Sequence, residues 1–168
     1  YKSINGTTST SQLPIDYISY SEITSFIEKL NNETKLNFSL PSADQWMYAA
    51  NGGNKSQNYT YAGSNTPGDV AWYSANCSSK QKVKTKAPNE LGLYDMSGNV
   101  GEFVSTMYSS KYPYIYGGAY CSKSQYVTKI SSVNTYSGGS AAGYNISNAY
   151  QSTCNTRGAG FRLMLSFK

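Results

Sequence analysis

The clearest periodicity in the chain lies near its beginning and has the spacing of an amphipathic helix. Ser19 and Glu22 form the S-x-x-E pattern of a capping box, in which two side chains satisfy the first free backbone N–H groups. Apolar residues then recur at i, i+3, i+4 and i+7, at positions Ile23, Phe26, Ile27 and Leu30. The pattern predicts a helix that begins after Ser19 and ends near Asn31 and Asn32.

A second helix is predicted directly after Pro41. Ser42 opens another capping box, closed by Gln45, and the mostly apolar residues 46–50 follow it. The glycines at 52 and 53 are typical of a helix end. Before this helix, Leu36, Phe38 and Leu40 alternate with polar residues, which predicts a short strand stopped by Pro41.

The later apolar positions alternate with polar ones over short stretches, which is the period of strands. Residues 91–94 and 100–104 flank a turn at 97–99 and predict a hairpin-like pair of strands. Four apolar residues alternate near the end and predict a terminal strand with one face in the core: Phe161, Leu163, Leu165 and Phe167. Two early helices, short antiparallel strands and much loop, including a long irregular stretch at 51–90, predict the α+β class.

Length and composition narrow the functional classes. The 168 residues suit one core, so we expect a loose N-terminal arm at 1–12 and a single domain at 13–168. The chain has no histidine, which excludes histidine metal centres and Ser-His or Cys-His catalysis. It has no run of about 18 apolar residues, so we expect no membrane insertion.

Charge is distributed unevenly along the chain. Residues 1–102 carry eight lysines against nine acidic residues, whereas residues 103–168 carry six basic residues and no acid. The basic residues are scattered rather than clustered, so we expect no nucleic-acid partner and only an electrostatic preference for acidic ones.

The stretch 104–157 has an unusual composition. It holds nine tyrosines, eleven serines, five threonines and four asparagines among 54 residues, and neither aspartate nor glutamate. Antibody paratopes use the same residue types, because tyrosine offers a large amphipathic contact area at low rotamer entropy and serine and asparagine offer adaptable hydrogen bonds. The composition predicts a ligand-binding surface; a low-complexity loop or tyrosines packed on one another in strands is the alternative.

The three cysteines, Cys77, Cys121 and Cys154, do not have the spacing of metal ligands. Two of them could pair and leave one over. At least one is expected to act as a small buried hydrophobic residue.

Five segments together resemble the signature sequences of the formylglycine-generating-enzyme (sulfatase-modifying factor) family. Residues 39–53 read SLPSADQWMYAANGG, residues 70–76 read VAWYSAN and residues 88–102 read PNELGLYDMSGNVGE. Residues 117–120 read GGAY and residues 160–162 read GFR. The segments occur in the family's order from about residue 13 to residue 165. The resemblance implies a C-type-lectin-like fold of two helices, short antiparallel strands and extensive loops.

The departures from the family pattern concern its chemistry. Members that oxidise a substrate cysteine use a cysteine pair just after the glycine-glycine segment; here Cys121 lies near that place, but the second position falls at about Tyr126. Two sulfurs are needed to bind a soft metal there. Gly101 and Phe103 replace the two tryptophans of the family's WEW pattern. These departures predict a protein that is not an enzyme.

The arrangement also resembles the variable proteins of diversity-generating retroelements, which display a hypervariable C-terminal region on the same fold. The resemblance implies a receptor-binding or adhesin-like protein on a cell surface or virion surface, of phage or archaeal-virus type, whose partner is a protein or glycan on another cell surface. The candidate ligand-binding residues in 104–157 are Tyr114, Tyr116, Tyr120, Ser122, Ser124, Tyr126, Asn134, Tyr136, Tyr144, Asn145, Asn148, Tyr150 and Asn155.

The resemblance further implies a possible structural Ca²⁺ ion. Carried over by position, its ligands are the carboxylates of Asp95 and Glu102 and the backbone carbonyls of Gly98 and Val100, and hard oxygens are what Ca²⁺ prefers. Alternatively, Asp95 caps the turn at 97–99 and Glu102 pairs with a lysine.

Two other functions remain open from the sequence. One is a cysteine-oxidising enzyme of the formylglycine-generating type. The other is a glycan-binding lectin of fixed specificity on the same fold, in which tyrosines stack on sugars.

Overall fold

The computed structural model describes residues 12–109, 112–129, 132–136, 145–146 and 159–167, and for 132–136 and 145–146 it describes the backbone. The N-terminal arm predicted at 1–12 lies almost wholly outside the described residues. Much of the tyrosine-rich stretch beyond residue 129 also lies outside them.

The two predicted helices are confirmed together with their capping boxes. Helix α1 spans Tyr20–Thr34, and its N-cap Ser19 exchanges hydrogen bonds with Glu22. Helix α2 spans Ala43–Ala50, and Ser42 exchanges the same pair of bonds with Gln45. A one-turn helix, α3, spans Pro67–Val70 within the otherwise irregular stretch 51–90.

Nine short strands complete the described part of the fold. In chain order they are β1 (Phe38–Ser39), β2 (Ala71–Trp72), β3 (Ser97–Gly98), β4 (Gly101–Ser109), β5 (Tyr112–Tyr116), β6 (Ser132–Tyr136), β7 (Asn145–Ile146), β8 (Ala159–Phe161) and β9 (Met164–Leu165). The main sheet has the order β7-β6-β5-β4-β8. Its pairs are antiparallel except β4 with β8, which is parallel. Two small sheets pair β1 with β9 and β2 with β3.

The central strands β4 and β5 contribute to two hydrophobic clusters. Phe103 and its strand neighbour Ile115 pack with Ile23 of α1. The next residues along, Val104 and Tyr116, pack with Trp46 of α2. Successive residues of a strand point to opposite faces, so the sheet carries one helix on each side.

The hairpin predicted from residues 91–94 and 100–104 is wrong. Residues 91–94 form no strand, and β4 pairs instead with β5 and β8. The turn residues Ser97 and Gly98 form β3, which runs parallel to β2. Gly98 has φ 74°, and a Cβ there would lie 2.2 Å from the carbonyl oxygen of Trp72, so the close approach requires glycine.

The terminal strand is also different from the prediction. It is divided into β8 and β9, and the break falls at Arg162 and Leu163. Phe167 is 88% exposed and does not join the core. At the break, the guanidinium of Arg162 bonds Glu102 and the carbonyl of Tyr94.

Candidate functional site

Four aromatic rings form a continuous series from the core to the surface, which we call the aromatic ladder: Trp46, Tyr116, Tyr114 and Tyr108. The ring centroids of Trp46 and Tyr116 are 5.2 Å apart, and those of Tyr116 and Tyr114 are 6.3 Å apart. Tyr108 meets Tyr114 edge-on at 5.7 Å. These separations lie in the range where aromatic pairs attract one another. Trp46 is 1% exposed and Tyr108 is 50% exposed, so a buried ring supports an exposed one.

The strands explain why the ladder reaches the surface. Tyr114 and Tyr116 are two residues apart on β5 and therefore share a face. Strand β8 pairs only with residues 101–103 of β4, and the β4–β5 register shifts beyond Phe103. Beyond this point β4 becomes exposed, and its outer half places Tyr108 and Met107 at the surface.

The predicted binding residues divide by burial. Tyr114, Tyr120, Ser124 and Tyr126 are half-buried and reach the surface. Tyr114 belongs to the ladder, and Ser124 and Tyr126 lie on a single turn of 3-10 helix.

Tyr120 lies in different surroundings, beside Asp16, Tyr17 and Cys77. Burial is the main cause that raises the pKa of Tyr120 above its ordinary value, and these three neighbours add to the effect. Its phenol therefore stays protonated at neutral pH and can donate a hydrogen bond.

Two of the predicted binding residues, Tyr116 and Ser122, are buried. Tyr116 is 7% exposed because its ring packs against Trp46 inside the ladder. Ser122 is 3% exposed, and its hydroxyl accepts a hydrogen bond from the backbone N–H of Ala119. In the described part of the chain both side chains therefore support their neighbours, and direct contact with a ligand stays a prediction for them.

The other predicted positions are described by backbone alone or not at all. Asn134 pairs with Tyr114 across β5 and β6, and Tyr136 pairs with Asn145 across β6 and β7. The predictions for Tyr144, Asn148, Tyr150 and Asn155 lie outside the described residues. The sheet thus extends from the ladder toward the rest of the tyrosine-rich stretch.

Tyr108 and Met107 are surface residues that the sequence reasoning missed. Both lie within the stretch 104–157, but no local pattern singled them out. Tyr108 meets Tyr114, and Met107 lies opposite Pro113, only because β4 pairs with β5, whereas the sequence predicts residues 91–94 as the partner strand.

A hydrogen-bonded cluster, the Trp46–Glu102–Arg162 clamp, fixes the buried end of the ladder. The indole N–H of Trp46 donates to Glu102 Oε2 at 2.7 Å. Arg162 donates from Nε to Oε2 and from Nη2 to Oε1, each at 2.6 Å. Burial alone would lower the pKa of Arg162, but the Glu102 carboxylate and, to a smaller extent, Asp95 together raise it above its ordinary value. The guanidinium of the clamp is therefore held in its charged form.

The hydrogen bonds of the clamp bear on whether the predicted ligands could hold a Ca²⁺ ion. Both oxygens of Glu102 are held by Arg162, so a cation there would meet a guanidinium. Asp95 accepts hydrogen bonds from the Lys84 backbone N–H and the Asn99 side chain. The set Asp95, Gly98, Val100 and Glu102 does not fit a Ca²⁺ ion; Glu102 does pair with a base, which is Arg162 rather than a lysine.

The cysteines near the family's catalytic position are not a thiol pair. Cys121 is disulfide-bonded, and it packs against the cluster that contains Phe103. Cys77 is a half-buried free thiol whose Sγ lies 3.8 Å from the carbonyl oxygen of Tyr120. Burial raises the pKa of the Cys77 thiol, and Lys86 offsets this only in part, so the thiolate is scarce at neutral pH.

None of the helices in the described part of the chain has both the length and the apolar character needed to cross a membrane.

Comparison with known proteins extends the resemblance. Residues 2–166 match the family described as the Sulfatase-modifying factor enzyme 1-like domain. The Chaperone protein LppX of Paenibacillus barcinonensis is 43% identical over 90 residues, and the match covers 43% of this chain and 32% of that protein. The chain thus aligns with about a third of that relative's length.

Three solved structures share the fold. Treponema denticola variable protein 1 superposes with a TM-score of 0.72 at 21% identity, over 95% of this chain and 75% of that one. CarF gives 0.73 at 25% identity, over 94% and 69%. PvdO of Pseudomonas aeruginosa gives 0.69 at 16% identity, over 96% and 65%. The predicted C-type-lectin-like α+β fold is confirmed.

Proposed function

The chain belongs to the family of the Sulfatase-modifying factor enzyme 1-like domain, and on that premise we propose that it is a non-enzymatic ligand-binding protein. Its contact surface begins at the exposed end of the aromatic ladder and includes the rest of the stretch 104–157, which we infer to be diversified by a retroelement. The partner is a protein or glycan on another cell surface, and the chain is displayed on a cell or a virion.

The observation that carries the proposal is the ladder itself. Tyr108 and Tyr114 present aromatic area at the surface while Tyr116 and Trp46 hold them from inside. A side chain that is already ordered loses less entropy when a ligand binds, so preorganised tyrosines give affinity efficiently. The same arrangement separates the residues that must stay constant from those that can vary.

Two further observations support binding rather than catalysis. Cys121 is engaged in a disulfide and Tyr126 occupies the second position of the family's cysteine pair, so two thiolates are not brought together there. The absence of acidic residues after Glu102 makes the surface favour acidic partners, because long-range attraction speeds their encounter.

A binding assay tests the proposal directly. Purified wild-type chain is applied to a glycan array and to an array of cell-surface proteins, beside the variant Tyr108→Ser/Tyr114→Ser. Loss of two central aromatic contacts is expected to weaken any specific binding at least about tenfold. The matched control is Tyr48→Ser, which removes a tyrosine that is 61% exposed but is not part of the ladder. Equal loss in the control and the double variant would contradict a site at the ladder.

A comparison of natural sequences tests the diversification. The coding region is sequenced from related isolates, and the neighbouring DNA is searched for a near-copy of the segment that encodes 104–157. Substitutions are expected to concentrate at exposed positions of that stretch while Trp46, Tyr116 and the clamp stay constant. Differences spread evenly over the whole chain would favour a lectin of fixed specificity instead.

A further inference from the structure

A concave site lies beside the clamp, and the proposed function assigns no ligand to it. It is a cavity of about 430 Å³, a size typical of sites for small molecules. Its lining combines aliphatic and aromatic side chains with four charged residues: Lys84, Asp95, Glu102 and Arg162. Ligand sites commonly have this composition, in which an apolar lining is joined by a few directed polar groups.

The rim of the cavity exposes apolar side chains. Ile15 is 42% exposed and Val83 is 37% exposed, and both line the opening. Their two segments are tied together, since the N–H of Val83 donates to the carbonyl of Gln12 at 2.9 Å and Lys80 pairs with Asp16 at 2.5 Å. A fixed rim with exposed aliphatic groups can cover the apolar part of a ligand.

The hydrogen-bond partners of the four charged side chains indicate the charge of the ligand. The two carboxylates are already engaged: Glu102 by Arg162 and Trp46, and Asp95 by Asn99 and the N–H of Lys84. The two cations are less fully engaged. Lys84 Nζ lies 5.8 Å from the ring centroid of Tyr94 and has no hydrogen-bond acceptor among the described residues. The described part of the chain likewise offers no acceptor to Nη1 of Arg162, which bonds through Nε and Nη2.

We infer that this cavity binds a small amphipathic carboxylate. The carboxylate accepts hydrogen bonds from Lys84 Nζ and Arg162 Nη1, which are charge-assisted and therefore strong. The apolar body of the ligand lies against the rim at Ile15 and Val83. The formal charges of the four side chains sum to zero, so the preference comes from the two donors without an acceptor rather than from net charge.

An NMR titration tests the inference with hydrocinnamate as the probe. Amide resonances of the isotope-labelled chain are followed as hydrocinnamate is added, and parallel titrations use hydrocinnamyl alcohol and phenethylamine. Saturable shifts are expected for Val83, Lys84, Tyr94 and Val100 with the carboxylate, and much weaker ones with the alcohol and the amine. The two reference compounds keep the phenyl group and change only the charged end.

The matched variants are Lys84→Gln and Lys82→Gln. Losing a charged donor is expected to weaken hydrocinnamate binding about tenfold in Lys84→Gln. Lys82→Gln removes an exposed lysine that does not line the cavity, and its affinity should equal the wild type. Equal binding of alcohol and carboxylate, stronger binding of the amine, an unchanged affinity in Lys84→Gln or no saturable shift at the cavity would each overturn the inference. Since none of these readouts involves Tyr108 or Tyr114, the result is independent of the proposed function.

Discussion

At the scale of single residues, the carboxylate of Glu102 joins distant parts of the chain. Its partners Trp46 and Arg162 lie 56 residues before it and 60 residues after it. A buried charge is costly unless it is paired and hydrogen-bonded, and here three bonds from two partners offset that cost. The clamp therefore connects α2, the main sheet and the last described segment of the chain.

Replacing Arg162, the cation of the clamp, should strongly destabilise the fold. Arg162→Met leaves Glu102 buried without its counter-charge, and the free energy of unfolding should fall by about 3–5 kcal/mol. Urea denaturation measures the loss, and Lys82→Met, at an exposed site, should change stability by no more than about 0.5 kcal/mol. The double variant Glu102→Gln/Arg162→Met should lose less than Arg162→Met alone. A loss below about 1 kcal/mol in the single variant would show that the clamp contributes little to stability.

At the scale of elements, both long helices begin at a capping box. In α1 the Glu22 carboxylate accepts from both the backbone N–H and the hydroxyl of Ser19, at 2.8 and 2.6 Å. These hydrogen bonds lower the pKa of Glu22 below its ordinary value of 4.5, and the bond from the Ser19 side chain has the larger effect. The ionised form is thus favoured in the folded helix.

The capping box makes part of the stability depend on pH. Because the pKa of Glu22 is lowered on folding, its contribution is complete above 4.5 and is lost as the pH falls through the lower folded value. Thermal unfolding of wild type and Glu22→Gln, followed from neutral to acidic pH, should give midpoints that differ at neutral pH and converge in acid. Glu28→Gln, at an exposed position of α1 outside the box, is the control. A difference that persists undiminished in acid would contradict the assignment.

At the scale of the whole molecule, the end of the described chain closes the fold against its beginning. Strand β9 pairs with β1, with Leu165 opposite Phe38 and Met164 opposite Ser39. Strand β8 lies beside β4, so the last segment contacts both the main sheet and the loop before α2. The ladder and the cavity are both held by elements that this closure keeps together.

Truncation tests the closure. A chain that ends after Leu163 loses β9, and the half-buried Met164 and Leu165 no longer cover β1. The free energy of unfolding should fall by about 2 kcal/mol, the scale expected for partial burial of two apolar side chains. Phe167→Ser, at a residue that is 88% exposed, should leave stability almost unchanged. Equal stability of the truncated and full chains would mean that β9 contributes nothing.

The helices and the family could be read from the sequence, because their signals are local. Each capping box lies within four residues, and both helices begin where it predicts. The five family segments also predicted the fold that the structural comparisons confirm. Strand pairing is harder to predict: Tyr112, Tyr114 and Tyr116 alternate along the sequence, but alternation does not specify the partner strand, and the predicted pairing with residues 91–94 is wrong.

The composition determined that a tyrosine-rich surface was to be expected, and only the tertiary structure decided which tyrosines form it. Tyr114 and Tyr116 look alike in sequence, yet Tyr116 is buried against Trp46 and Tyr114 reaches Tyr108 at the surface. Likewise, Glu102 had the position of a calcium ligand, whereas the fold gives both of its oxygens to Arg162. Local hydrogen bonds are encoded by neighbours in the chain. Burial and ion pairing depend on residues about 60 positions away, which no local pattern specifies.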